Sequence, residues 1–191
     1  TPDPRHWESW QSPRVIIRAR KNLAEAANAG AQRDEPATAR AAEPAVLDVG
    51  RQSLSLAPHL GYRVDADGRA DALAMFDQAE RGGFQPLPAE GSAFGFTEGA
   101  YWFHAQLFNQ NRTEQRWLLV LHYPLLDNVD VYLRYPDGRV EHMAAGDTLP
   151  FSARSIRYRH PNFWLNLPQR TEVELLVRVS SRSSLQVPLA V

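Results

Sequence analysis

Two runs in the middle of the chain alternate in chemistry residue by residue, and that alternation leaves little freedom in what they can form. In Tyr101 to Phe108 the odd positions are Tyr101, Phe103, Ala105 and Leu107, while the even ones include Trp102, His104 and Gln106. In Asn128 to Tyr135, Val129, Val131, Leu133 and Tyr135 alternate with Asn128, Asp130, Tyr132 and Arg134. Successive side chains of a β-strand point to opposite faces, so a period of two predicts strands with one apolar and one polar face. Between them Trp117 to Tyr123 is apolar at both parities, the pattern of a central strand covered on both sides. An aromatic ring, an acid, a phenol and a guanidinium can therefore share one sheet face, a composition better suited to binding a polar ligand than to catalysis.

Further strand-like runs recur between turn signals from Ala45 onward: Ala45 to Val49, Leu54 to Leu56, Gly61 to Val64, Val140 to Ala144, Phe163 to Leu167, Val173 to Val179 and Leu185 to Leu189. Many short strands with regular turns predict an all-β sandwich or barrel. One helix interrupts them. Asp71 is placed to cap Ala72 to Glu80, Leu73, Met75 and Phe76 form its apolar patch, and Gly82-Gly83 supplies the stop. The turn Pro136-Asp137-Gly138 joins two antiparallel strands. Residues 1–44 are rich in Pro, Ala, Arg and Glu and read as an N-terminal extension: a helix over about 13–28, opened by Ser12 and Pro13, and a linker to Pro44. The predicted organisation is an extension over 1–44 and a β-domain over 45–191.

A formal charge of -1 leaves no basic excess for a nucleic-acid backbone, and the arginines are scattered, so nucleic acid is not an expected partner. With Lys21 the only lysine, the arginine preference reads as a compositional bias. The chain has no cysteine, which excludes a disulfide framework and a thiolate metal site and fits cytoplasm or bacterial periplasm equally. There is no run of about 18 apolar residues, and a start at Thr1 suggests a processed or excised soluble piece.

Enzymatic constellations are weak. The six histidines have no HExxH or paired spacing, and neither a phosphate-binding loop nor a nucleophile elbow is present. Asp65, Asp67, Gly68 and Asp71 give a DxDGxxD spacing that could meet calcium; the simpler account is a hairpin turn followed by the helix cap. No cofactor is otherwise called for. Asp127 and Asp130 flank a strand entry, where they either accept ligand hydroxyls or serve as a turn cap and a surface ion pair. Trp102, pointing away from the core, either stacks on a ligand ring or lies beneath another layer. Tyr132 and Arg134 share the face of Asp130. Arg154, Arg157 and Arg159 could fork onto a carboxylate or sulfate, or simply charge an edge strand.

The ordered series Phe84-Gln85-Pro86-Leu87, Gly95 to Trp102, Trp117 to Leu121, Tyr123 to Leu133, Gly146 to Arg154 and Ser184 to Leu189 resembles the type 2 extracellular domain of bacterial seven-transmembrane receptors with diverse intracellular signalling modules. The resemblance covers about residues 45–190. It implies a jelly-roll β-sandwich similar to carbohydrate-binding modules, lying in the periplasm ahead of seven membrane helices and an intracellular output such as a histidine kinase or a cyclic-dinucleotide enzyme. It also implies that Trp102, Asp127, Asp130, Tyr132, Arg154 and Arg159 occupy recurrent polar and aromatic positions. His104 stands where the family often has arginine, which makes a contact there pH dependent. The expected ligand-binding set is Trp102, His104, Asp127, Asp130, Tyr132, Arg134, Arg154 and Arg159, with no catalytic residue. The expected partners are a small polar ligand of saccharide type and, in addition, a second copy of the domain or another sensor kinase. The alternatives are an interaction or dimerisation module with no small ligand, and a carbohydrate-binding module of a hydrolase.

Overall fold

Alternation along the three long strands decides the architecture. In a computed structural model, which describes residues 43–88, 91–148, 156 and 158–191, the elements in chain order begin with β1 (Ala45–Leu47), β2 (Gly61–Asp65) and α1 (Ala72–Glu80). Then come β3 (Gln85–Pro86), β4 (Ala93–Gly95), β5 (Ala100–Asn109), β6 (Arg116–Leu121) and β7 (Asn128–Arg134). The chain closes with β8 (Val140–Ala145), β9 (Asn162–Asn166), β10 (Glu172–Ser180), β11 (Leu185–Gln186) and β12 (Leu189–Ala190). The predicted helix over 13–28, most of the predicted linker, and Arg154 and Arg157 lie outside the described residues. No helix among the described residues is long and apolar enough to cross a membrane.

A seven-stranded sheet runs in the order β3-β2-β5-β10-β7-β8, with β1 added in parallel beside β5. A second sheet is β12-β6-β9, and β11 pairs with β4. Phe103, Ala105 and Leu107 of β5, Val129, Val131 and Leu133 of β7, and Val173, Leu175 and Val177 of β10 are all buried in one core. They meet Leu119, Leu121, Phe163, Leu165 and Leu189 from the three-stranded sheet. The fold is an all-β sandwich with a single α-helix among the described residues.

Three local expectations change. The two alternating runs do share a sheet, with β10 between β5 and β7, whereas the apolar run between them in sequence is β6, the central strand of the other sheet. Leu185 to Leu189 is not one strand. Pro188, which lacks an amide donor, falls where the chain passes from β11, paired with β4, to β12, paired with β6. On α1, Met75 and Phe76 are buried but Leu73 faces solvent, because a stripe on nine residues is too narrow to include it. The helix bounds themselves are as expected. Asp71 accepts from Ala74 N at 2.8 Å, and Gly82 takes φ +71° just beyond the end. The Pro136-Asp137-Gly138 turn joins β7 to β8, with Gly138 N donating to Tyr135 O at 2.9 Å.

Polar contacts tie the two sheets, and one of them titrates. Tyr135 follows β7, and its buried hydroxyl lies 2.8 Å from both Asn166 O of β9 and Glu141 Oε2 of β8. Burial, reinforced by the Glu141 carboxylate, pushes this phenol up to about 12 from its ordinary 10.0. Because the folded value is the higher one, the contribution is fully present below pH 10 and fades as pH rises towards 12. Tyr135→Phe is expected to cost about 1–2 kcal/mol at neutral pH and to flatten the alkaline loss of stability over that window. Urea denaturation of both proteins as a function of pH checks this. With no cysteine and a single lysine, tyrosines dominate the titration there.

Candidate functional site

The second face of the large sheet is built by the even residues of β5, β7 and β10. Register places Trp102 opposite Arg178 and Arg178 opposite Asp130, while Leu176 lies between His104 and Tyr132. Glu174 lies between Gln106 and Arg134 in the same way. One end of this face is roofed by α1. Met75, Phe76, Phe84, Trp102 and Leu176 form a second apolar cluster, separate from the main core.

Trp102 belongs to that cluster and is fully buried. Its Nε1 donates to Asp65 Oδ2 at 3.2 Å, and its ring stacks on Tyr132 with centroids 5.9 Å apart. The expected ligand platform is thus a structural ring, for the reason anticipated as its alternative: another layer covers it. The stack continues outward from Tyr132 to His142 at 4.5 Å, and His142 is hydrogen-bonded to Asp130 Oδ1 at 2.9 Å. Asp130 also receives Arg178 at 3.4 Å, and Arg178 donates to Gly68 O at 3.1 Å. Burial, with a lesser push from Asp130 and opposition from Arg178, raises the Tyr132 phenol. Asp130 and Tyr132 are therefore already committed to neighbours in the sheet.

His104 and Arg134 behave differently, because their shared partner faces an opening. Arg134 holds both oxygens of Glu174, at 2.8 and 2.9 Å, and reaches Glu80 of α1 at 2.6 Å, with its guanidinium 4.5 Å from the centre of the Phe76 ring. His104 meets Glu174 Oε2 at 3.3 Å and packs against Phe84 with ring centroids 5.6 Å apart. Burial alone would raise the Glu174 carboxyl. Hydrogen bonds from His104 and Arg134 and their charges outweigh it, so the net value lies below the ordinary one and Glu174 is ionised at neutral pH. Glu80, Phe84, His104 and Glu174 line a cleft of about 460 Å³ between the end of α1, the segment around β3 and the middle of β5. Its chemistry is supplied by Glu80, Arg81, Phe84, His104, Gln106 and Glu174, with His59 also in the lining. Two carboxylates, an amide and imidazoles beside an aromatic ring offer acceptors and donors to a hydroxyl-rich molecule.

The other expected residues are not part of this cleft. Asp127 sits in the loop before β7 and accepts from Arg182 N at 2.8 Å. Arg159 is exposed ahead of β9, the edge of the other sheet. Arg154 is outside the described residues. The three carboxylates of the calcium alternative make the hydrogen bonds of a turn and a helix cap. Asp65 accepts from Trp102 and from Ala70 N, Asp67 from Arg69 N, and Asp71 caps α1. Among the described residues no cluster of three or more His, Asp or Glu side chains could hold a metal ion. For Asp65, burial raises the carboxyl but the hydrogen bonds from Trp102, Ala70 and its other turn neighbours outweigh it and hold it below its ordinary value. Sequence reasoning missed Glu174, Glu80, Gln106 and Phe84. Only the face of Glu174 was legible, since Glu174, Leu176 and Arg178 are the even positions of β10 just as Asp130, Tyr132 and Arg134 are of β7.

Fold and cleft together define an all-β sandwich domain with an open cleft of mixed polar and apolar lining on the sheet face beside α1. The family model of the 7TMR-DISM extracellular 2 domain matches residues 57–191, more than half of the chain, and the chain belongs to that family. No curated protein matches it. It is thus an extracytoplasmic sensor domain of a seven-transmembrane receptor, a class of domain that is non-catalytic.

Proposed function

We propose that this domain binds a small polar ligand of saccharide type in the cleft formed by His104, Glu174, Gln106, Glu80 and Phe84, and passes occupancy to a membrane-embedded hybrid histidine kinase of the RetS and LadS kind, nearer to RetS. The kinase and its place in a biofilm and virulence switch rest on the sequence resemblance alone. The ligand class rests on one observation: an ionised carboxylate, held by Arg134 and His104, lines an aromatic-walled cleft of a size suited to one or two sugar rings. A carboxylate oxygen accepts two sugar hydroxyls, and charge-assisted hydrogen bonds of that kind are the stronger ones. Transmission requires that ligand favour one conformation or assembly of the receptor over another.

The test is a thermal shift and calorimetric titration of the chain against oligosaccharides, with Gln106→Ala and His104→Gln as variants that leave the Arg134–Glu174 pair in place. A ligand present at about a hundred times its dissociation constant adds roughly 2.7 kcal/mol, a rise of several degrees for a domain of this size. Both variants are expected to weaken binding about tenfold, Gln106→Ala with an unchanged unliganded midpoint. Binding that neither variant touches would place the saccharide elsewhere.

A further inference from the structure

We propose that the domain also answers to acid: protonation of His160 frees residues 158–161 from the end of the three-stranded sheet, which makes a fall in extracytoplasmic pH a stimulus independent of the saccharide cleft. The stretch leads directly into β9 and is held at that end of the sheet through its backbone. Leu121 N, the last of β6, donates to Pro161 O at 3.0 Å. The Asn162 amide donates to His160 O at 3.0 Å and to Ile156 O at 3.4 Å. None of these residues lines the His104 cleft.

Among the described residues His160 is the one buried histidine, 8% exposed, and its buried Nδ1 has no hydrogen-bond partner there. Two rings close around it edge-on, Tyr158 with centroids 5.1 Å away and His122 with centroids 5.6 Å away. His122 follows β6 directly, where its backbone N donates to Pro188 O at 3.0 Å. The charged and titratable groups that face the imidazole are Tyr158 and Arg159 of its own stretch and His122 beyond β6, while β9 contributes the neutral Asn162. Arg154 and Arg157 of the preceding segment lie outside the described residues. No carboxylate among the described residues pairs with His160. His104 and His142 differ in kind, since each meets a carboxylate, Glu174 and Asp130 respectively.

A neutral imidazole suits such a place, because its unprotonated nitrogen leaves no donor unpaired. Protonation turns both ring nitrogens into donors, leaves Nδ1–H without an acceptor and sets a buried positive charge beside Arg159 and His122. Burial first, then the charges of Arg159 and His122, hold the imidazole below its ordinary 6.5. Because the folded value is the lower one, the contribution of this docked stretch is fully present above pH 6.5 and is lost as pH falls below it. The released form thus binds the proton better than the docked form, which is the condition for a stimulus to shift a population.

Hydrogen exchange of the whole chain at about pH 7.5 and about pH 5, corrected for the intrinsic rate, tests the proposal with the proton itself as probe. Protection across residues 158–163 is expected to fall about tenfold or more at the lower pH, since an unpaired buried charge costs at least that factor, while β5 and β10 keep theirs. His160→Gln, which cannot titrate, is expected to lose this pH dependence, and His142→Gln to retain it. A second arm stands whether or not His160→Gln folds. NMR titration of the His160 ring is expected to show a midpoint below 6.5 in the parent and closer to 6.5 in His122→Gln, an exposed change that removes one opposing charge. Equal protection at both pH values, the same loss in His160→Gln, or a parent midpoint at or above 6.5 overturns the proposal.

Discussion

Trp102→Ala is expected to unfold the α1 side of the domain before it affects any ligand. The residue is fully buried, and truncating a buried tryptophan costs about 3–5 kcal/mol through lost burial and the cavity left behind. Three further losses follow from its neighbours. Asp65 keeps its Ala70 contact but loses its indole donor, Tyr132 loses one side of its stack, and Phe76 and Met75 of α1 lose the floor on which the helix rests. For a chain of this length the expected fall in Tm is roughly 6–20 °C by calorimetry. Trp102→Phe keeps most of the packing and removes only the Nε1 donor, so it separates the two contributions. The Asp65 carboxyl lies below its ordinary value partly because of that donor, so its stabilising effect is present above the ordinary carboxylate range and lost as pH falls below it. In Trp102→Phe the acid limb of the stability curve is expected to be shallower. A Trp102→Ala protein with an unchanged Tm would contradict the burial on which the whole description of this face depends.

Gly99→Ala carries the second large effect, and here the backbone is the cause. Gly99 adopts φ +79°, and a Cβ added there would lie 2.4 Å from Asp65 O and 2.6 Å from Ala66 O. Neither carbonyl can yield cheaply, because both belong to the turn that carries the Asp65 carboxylate to Trp102. Left-handed strain of about 1–2 kcal/mol adds to an overpacking cost of about 1–3 kcal/mol. Gly138→Ala is the natural control: it has φ +83° and nothing within 4 Å of the added carbon. Chemical denaturation is expected to show Gly138→Ala losing only the strain and Gly99→Ala losing about twice as much or more. Equal losses would mean that the Asp65 turn moves aside freely.

How far the site was legible follows from where its determinants lie. The alternation in β5 and β7 is local, and it correctly assigned Trp102, His104, Asp130, Tyr132 and Arg134 to one face opposite the core. The α1 bounds were legible for the same reason, since an Asp cap and a glycine stop act within a turn of the helix. Which of those side chains remain available to a ligand was not legible, because that depends on what α1 covers. The helix is brought onto the sheet by Met75 and Phe76, and the same packing that hides Trp102 leaves His104 and Glu174 at the margin of the roof.

The carboxylate at the heart of the proposed site shows the limit most clearly. Glu174 sits about seventy residues from His104 and forty from Arg134, so nothing in either neighbourhood announces the contact. It arises because β10 inserts between β5 and β7, a choice made by the summed burial of Val173, Leu175, Val177 and Val179 against the opposite sheet rather than by any motif. The sequence by itself determined the long strands, their two faces, the capped helix, the tight turn after β7 and, through an ordered series of motifs, the receptor family. Those are properties of neighbouring residues or of a pattern read in order. Strand order, the roof over Trp102 and the cleft beside it were decided only by the tertiary structure, because burial of apolar surface is non-directional and selects among pairings globally.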